Sequence, residues 1–406
     1  MRYALGLLGG LIAQTFYVEV GSETLRQALY QRDIQRIGRL GGIWRSIIAV
    51  EPLLPRSNRA LQGWFIVKLA GGDSVVILDS LRRTSGIRWA EGATGRRLCT
   101  QPLLGWHHIA LQTRMAWTRT QGSSNIIIAI IDSGIEWTLS AFHRQLWVNR
   151  AEDLNGNGMI DPADLNGQDE DGNGFVDDVI GYDFTDQPFT PSAGDNIAED
   201  PFPRDENGHG TAMASVIGAR GDLSPVWGVA PGARLMILRA FNAQGYGEDD
   251  DIARAIIYAA ENGARIINCS FGDRTPSRMM HSAIQYAVGR GCIIIAASGN
   301  GTGGQPHFPS GYPEVIATGG FAYDEPSGRY YLWPLSGYYR VDWVAPADRV
   351  PALLPDGSVR PLSGTSIAAA LSSAAAALLL SRYPDLTGEG IRATFTSRAV
   401  PLSGSS

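Results

Sequence analysis

NIIIAIIDSG, residues 125–134, holds an unbroken apolar run from Ile126 to Ile131 that is closed by Asp132, Ser133 and Gly134. A run this short, bounded by turn residues, suits a strand buried on both faces of a parallel sheet. Three further runs have the same form: ARLMILRAF (233–241), ARIINCSFG (264–272) and CIIIAASGN (292–300). Between them, DDDIARAIIYAAENG (249–263) opens on acids and closes on Asn-Gly, the polarity expected of a helix. PSRMMHSAIQYAVGRG (276–291) behaves alike. Strand–helix–strand repetition predicts an α/β fold of three layers, with a mostly parallel central sheet between helices. Ligands meet such sheets at the carboxyl ends of the strands. Chemistry is therefore expected at Asp132-Ser133-Gly134, Ser270-Phe271-Gly272 and Ser298-Gly299-Asn300.

Outward from this core, 406 residues leave room for one large domain or two smaller ones. A hydrophobic content of 44% against 18% charged excludes global disorder. The net charge of −6 conceals an asymmetry, since residues 1–99 carry 14 basic and 7 acidic side chains and the remainder carries 20 and 33. A basic segment before an acidic body points to mutual attraction, not to nucleic acid. Within the N-terminal part, residues 22–40 place Leu25, Leu29, Ile34 and Ile37 near helical spacing. GWFIVKL (63–69), SVVILDSL (74–81) and SGIRWAEG (85–92) read as extended pieces, which makes a small α+β unit. The chain opens on MRYALGLLGGLIAQTF, whose apolar stretch is too short for stable membrane insertion. It reads as a signal peptide over residues 1–14, implying secretion, with a buried first strand as the alternative. Cys99, Cys269 and Cys292 lack metal-site spacing, and the last two read as buried small hydrophobes.

Three segments carry the chemistry: AIIDSGI (129–135), NGHGTAMAS (207–215) and SGTSIAAA (363–370). A hydroxyl nucleophile needs a base within reach and a third group to orient that base. Asp132, His209 and Ser366 supply those three side-chain types, each beside glycine. Any one alone has an ordinary explanation as a turn or a helix cap. In this order the three resemble the subtilisin-like serine proteases (subtilases), from about Gln101 to the C-terminus. AASGN (296–300) is similar to the family segment that supplies an oxyanion-hole amide, here Asn300. The resemblance implies a serine endopeptidase with Ser366 as nucleophile, His209 as general base and acid, Asp132 orienting His209, and Asn300 stabilising the oxyanion.

It also implies substrate contacts with polypeptides. NCSFG resembles the segment that pairs with the substrate backbone, so Ser270, Phe271 and Gly272 line one edge of the groove. AQGYGED puts Gly245 to Gly247 on the opposing edge. PHFPSGYPEVIATGG is similar to the segment closing the primary specificity pocket, with His307 either at the pocket base or turned to solvent. The sequence departs from the family pattern at Ala212, Ala347, Ile367 and Ala370, none of which is a proton-transfer group or an oxyanion donor.

The insertion DLNGNGMIDPADLNGQDEDGNGFVDD (153–178) holds eight carboxylates and five glycines without a Lys or Arg. Read as an EF-hand-type loop, it offers Asp153, Asn155, Asn157, the Met159 carbonyl, Asp161 and Asp164 to a calcium ion. A second loop offers Asp169, Asp171, Asn173 and Asp177, but its twelfth position is Ile180, so it needs another ligand such as Asp178. The alternative is a solvated acidic insertion without an ion. Subtilases carry similar segments between the Asp and His motifs, which implies a Ca2+ staple outside the chemistry. By the same resemblance, residues 15–99 stand where the family has a propeptide that assists folding and inhibits in cis, and residues 100–406 form the catalytic domain. The rival readings are a non-enzymatic member of the fold, a dockerin-like calcium module, and an esterase using the same groups. His107 and His108, near the junction, are expected to be structural.

Overall fold

The computed structural model describes residues 105–186 and 198–402, together with the backbone of four N-terminal strands. The chain divides into two compact units, 1–98 and 99–406. In the first, β1 (Ala13–Val20), β2 (Ile47–Pro52), β3 (Trp64–Ala70) and β4 (Ile87–Gly92) form an antiparallel sheet in the order β2-β3-β1-β4. β3 and β4 fall where extended pieces were expected. β1 begins at Ala13, inside the stretch read as a leader. The helix expected over 22–40, the strand expected over 74–81 and Cys99 lie outside the described residues.

In the second unit the apolar runs form β5 (Ile127–Asp132), β7 (Arg234–Arg239), β8 (Ile266–Cys269) and β9 (Ile293–Ala297). With β6 (Gly181–Asp183), β10 (Ile316–Asp324), β11 (Arg329–Leu332) and β12 (Trp343–Pro346) they make one eight-stranded sheet. Its order is β11-β10-β9-β8-β5-β7-β6, with β12 also paired to β10, and every pairing is parallel except β10 with β11.

Successive side chains on a strand point to opposite faces, and β5 feeds two cores. Ile128 and Ile130 pack with Ala212, Val216 and Ile217 of the His209–Gly218 helix and Leu371 and Ala374 of the Thr365–Arg382 helix. Ala129 and Ile131 pack with Ile252 and Ile256 of the Asp249–Glu261 helix and Ile284 of the Arg278–Gly289 helix. Each fully buried isoleucine contributes roughly 1.5–3 kcal/mol of transfer free energy, which is why near-continuous apolar runs dictate a three-layer sandwich. The Thr365–Arg382 helix is long and apolar enough to cross a membrane, but most of it is buried here and it serves as a core helix. Asp249, Asp250 and Asp251 occupy the first turn of their helix, where the dipole favours negative charge. Because β5, β8 and β9 run parallel, Asp132, Ser270 and Ser298–Asn300 all emerge at one edge of the sheet.

Candidate active site

Asp132 ends β5 with only 4% of its surface exposed. Its Oδ1 and Oδ2 lie 2.8 and 3.0 Å from Nδ1 of His209, the first residue of its helix. A carboxylate only accepts, so this contact puts the imidazole proton on Nδ1 and the lone pair on Nε2. Burial disfavours the imidazolium, but the charge and hydrogen bond of Asp132, helped by the charge of Asp205, more than offset it. The His209 pKa therefore lies above its ordinary value of 6.5.

Asp205, which the sequence reading did not single out, organises the turn before His209. It accepts hydrogen bonds from the Asn207, Gly208 and Thr211 amides and from Ser133 Oγ, itself the acceptor of the Gly210 amide. Its position three residues ahead of Gly208 was the available signal, since Asp often satisfies the free amides of a helix start. The next residue, Glu206, meets Arg239 at 3.0 Å, and Arg239 also pairs with Asp183 at 2.8 Å in a fully buried site. This ties β6 and β7 to the His209 turn. Burial pushes the Asp183 carboxyl up to about 7, with Arg239 opposing.

Ser366 is the second residue of the Thr365–Arg382 helix. Its Oγ donates to the Ser270 carbonyl at 2.7 Å, and Ser270 Oγ donates back to the Ser366 carbonyl at 2.9 Å. Among the described residues no hydrogen bond joins Ser366 to His209. Asn300 Oδ1 accepts from both the amide and the hydroxyl of Thr365, each at 2.9 Å. Because an amide N–H can only donate, Oδ1 is fixed on Thr365 and Nδ2 is left as a donor. Thr365 is thus a positioning residue that the sequence reading passed over.

Ser270, Phe271, Gly272, Asn300, His307 and Ser366 all line one cavity of about 390 Å³. His307 is buried, not turned to solvent, and lines this cavity. Gly245 and Gly247 do not reach this cavity. Gly245 lies in a turn closed on Asn242, while Gly247 lines a separate cavity of about 370 Å³ rich in acids, beside Glu248 and Asp251. Phe271 packs its ring on Phe241 at 4.8 Å. His107 and His108 are buried with their rings tilted against each other at 4.3 Å, and burial lowers both, His108 to about 4, so both are neutral structural groups. Cys269 and Cys292 are buried free thiols.

In the acidic insertion the two loops fold alike. Asp153 accepts from the Asn157 and Gly158 amides and Asn157 Oδ1 from the Met159 amide; Asp169 accepts from the Asn173 and Gly174 amides and Asn173 Oδ1 from the Phe175 amide. Asn155 and Asn157 both reach Asp161, and Asp164 is fully buried with Oδ1 lacking a partner. Asp177 does not join Asp171 but converges with Glu152 and Glu170 in a second group of carboxylates. Its backbone turns to φ +56, which sends its carboxylate to the Asn166 and Gly167 amides. Asp178 takes that place, accepting from Asn149, Asn173 and Tyr258 and converging with Asp171 and Glu152. Glu152, outside both loops, was not read from the sequence. It is fully buried with Oε2 unpartnered, and burial followed by the neighbouring Glu170 pushes it up to about 7. Buried, unpartnered carboxylates in an all-oxygen donor set suit a hard cation such as Ca2+.

Comparison with known proteins agrees with this architecture. The profile of the subtilase family matches residues 123–405. A thermophilic serine proteinase of Bacillus sp. (strain AK1) is 31% identical over 274 residues, 66% of this chain and 56% of that protein. Subtilisin DY of Bacillus licheniformis is 32% identical over 236 residues, 57% of this chain and 84% of that protein. The chain thus spans little more than half the length of the first relative and most of the second. Among solved structures, Sphericase superposes with a TM-score of 0.56 at 26% identity, covering 70% of this chain and 87% of Sphericase.

Proposed function

This chain belongs to the subtilase family of serine peptidases, and from that premise we propose that it hydrolyses peptide bonds through Asp132, His209, Ser366 and Asn300. The observation that carries the reading is the cavity lined by both Ser366 and Asn300, together with a His209 ring whose proton is held on Nδ1 by Asp132. In the reaction, Ser366 Oγ leaves the Ser270 carbonyl, turns to His209 Nε2 and attacks the scissile carbonyl as the imidazole takes its proton. The developing oxyanion receives Asn300 Nδ2 and the Ser366 amide, which belongs to a first helical turn where amides lack intrahelical partners. His209 then protonates the leaving amine, and water hydrolyses the acyl-enzyme by the reverse sequence. Ser270 to Gly272 hold the extended substrate along one wall.

One observation favours a second reading, a non-catalytic member of the fold: Ser366 Oγ is bonded to Ser270 and not to His209. A serine-directed fluorophosphonate separates the two. Hydrolysis of unfolded casein, abolished as the probe adds covalently to Ser366 in peptide mapping, is the expected result. An enzyme that neither cleaves casein nor takes up the probe sinks the hydrolytic reading.

The reading extends to an exported precursor whose residues 15–99 act as a propeptide and to a calcium-stabilised body. Asp153, Asn155, Asn157, Asp161 and Asp164 would hold one ion; Asp169, Asp171 and Asn173, completed by Glu152 and Asp178, would hold a second. Bound calcium would neutralise these acids and brace the segment joining Asp132 to His209, with no part in bond making. An ion present at about 100 times its Kd stabilises by about 2.7 kcal/mol. Chelation is therefore expected to lower Tm by at least about 5 °C in scanning calorimetry, and readdition of calcium to restore it. An unchanged Tm would remove the calcium assignment.

A further inference from the structure

The cavity beside Ser366 has a buried imidazole in its lining. His307 is 7% exposed, and its Nδ1 lies 3.1 Å from the carbonyl oxygen of Ala297. That oxygen can only accept, so Nδ1 carries the proton and Nε2 is the acceptor of the neutral ring. Burial holds the His307 pKa below its ordinary value despite the Ala297 and Gly272 carbonyls, which keeps this form at neutral pH.

The ring spans the slot between the two walls of the cavity. A Cβ built on Gly272 would stand 2.3 Å from Cε1, and one on Gly299 would stand 2.8 Å from Cδ2. Only glycine on both walls leaves room for the imidazole. Nε2 is the ring atom between Cε1 and Cδ2, so it lies between the two glycine walls. Ser366 and Asn300 sit on the same cavity. A side chain entering it therefore belongs to the residue whose carbonyl is presented to Ser366.

We propose that His307 determines which side chain this cavity takes, selecting a carboxamide, asparagine or glutamine, over aliphatic chains of equal length and over aromatic rings. The spanning ring shortens the slot and denies depth to a large flat side chain. Its Nε2 lone pair rewards an N–H donor at the tip. An apolar tip would bury that acceptor unpaired, which costs more than a hydrogen bond gains. The inference deepens the hydrolytic reading and rests on it only for the identity of the residue entering the cavity.

The test measures binding apart from turnover. Peptides alike except for Gln, Met, Asn, Leu or Phe at this position are titrated calorimetrically into the Ser366→Ala protein with calcium present. Gln is expected to bind about tenfold tighter than Met, Asn similarly tighter than Leu, and Phe most weakly. In Ser366→Ala/His307→Gly the slot reopens and the order reverses, with Phe gaining most. His307→Gln, which fills the slot with another polar group, keeps the preference for Gln over Met and guards against a folding defect in the glycine variant. Met or Phe binding the parent as tightly as Gln overturns the proposal. So does an order that survives in His307→Gly, or no binding by all five peptides. Cleavage of the same peptides by the unsubstituted protein is scored separately. Selective binding without turnover would discard the hydrolytic reading and leave this one standing.

Discussion

Ser366→Ala is expected to lower kcat by about 10⁶-fold and to leave the N-terminal unit attached. Two hydroxyls at the start of the Thr365–Arg382 helix line the cavity, and that of Thr365 is spent on Asn300 Oδ1, which leaves Ser366 to act as the nucleophile. Removing a nucleophile that acts in concert with its base costs nearly as much as removing the whole triad, because the remaining groups have no proton to transfer. A residual rate of about 10³–10⁴ over water should persist from the oxyanion donors and binding alone. Two readouts check this: single-turnover kinetics on a peptide amide, and intact mass of the purified protein. The unsubstituted chain should lose about a hundred N-terminal residues while the alanine variant stays whole. Equal activity in both proteins would remove Ser366 from the mechanism. Folding should be unaffected, since the Oγ contact with Ser270 is one neutral hydrogen bond worth about 1 kcal/mol.

Asp132→Asn should cost about 10⁴ in kcat at neutral pH, with the fold intact. Asparagine fills the same volume but can donate to His209 Nδ1, which moves the ring proton to Nε2, the atom that must accept from Ser366. The pH profile gives an independent check. His209 works as a base only when neutral, so activity is lost as pH falls through its pKa, and that pKa is raised above 6.5. Asp132 supplies most of the raising effect and Asp205 the remainder. The acid limb should therefore move to lower pH in Asp132→Asn while staying in place in a variant distant from the site. Stability runs the opposite way. A raised folded-state pKa contributes stability that is fully present below 6.5 and is lost as pH rises through the folded value. The Asp132–His209 pair thus stabilises the protein most where it is catalytically silent. Unchanged kcat in Asp132→Asn, or an acid limb that does not move, would sink the role given to Asp132.

By itself, the sequence determined the α/β class, the four central strands, the two helices between them and the three glycine-flanked segments holding Asp132, His209 and Ser366. These are local signals: apolar runs, acids at a helix start, and polar residues where a strand ends. The helix read over 249–263 forms over Asp249–Glu261, and that over 276–291 forms over Arg278–Gly289. β11 left no comparable trace, being an edge strand with little burial, whereas the short β6 falls within VIGYDFTD, a stretch that reads as strand-like. Only the tertiary structure decided how the side chains are held. The orientation of the Asn300 amide depends on Thr365, 65 residues away, and the Ser366 rotamer on Ser270, 96 residues away. The approach of Glu152 to Asp171 and Asp178, and the direction of the His307 ring, depend likewise on the surfaces that fold against them. Residue types and their order are written along the chain. A proton's position on an imidazole, or the donor end of an amide, is set by whichever distant acceptor packing brings within 3 Å or so.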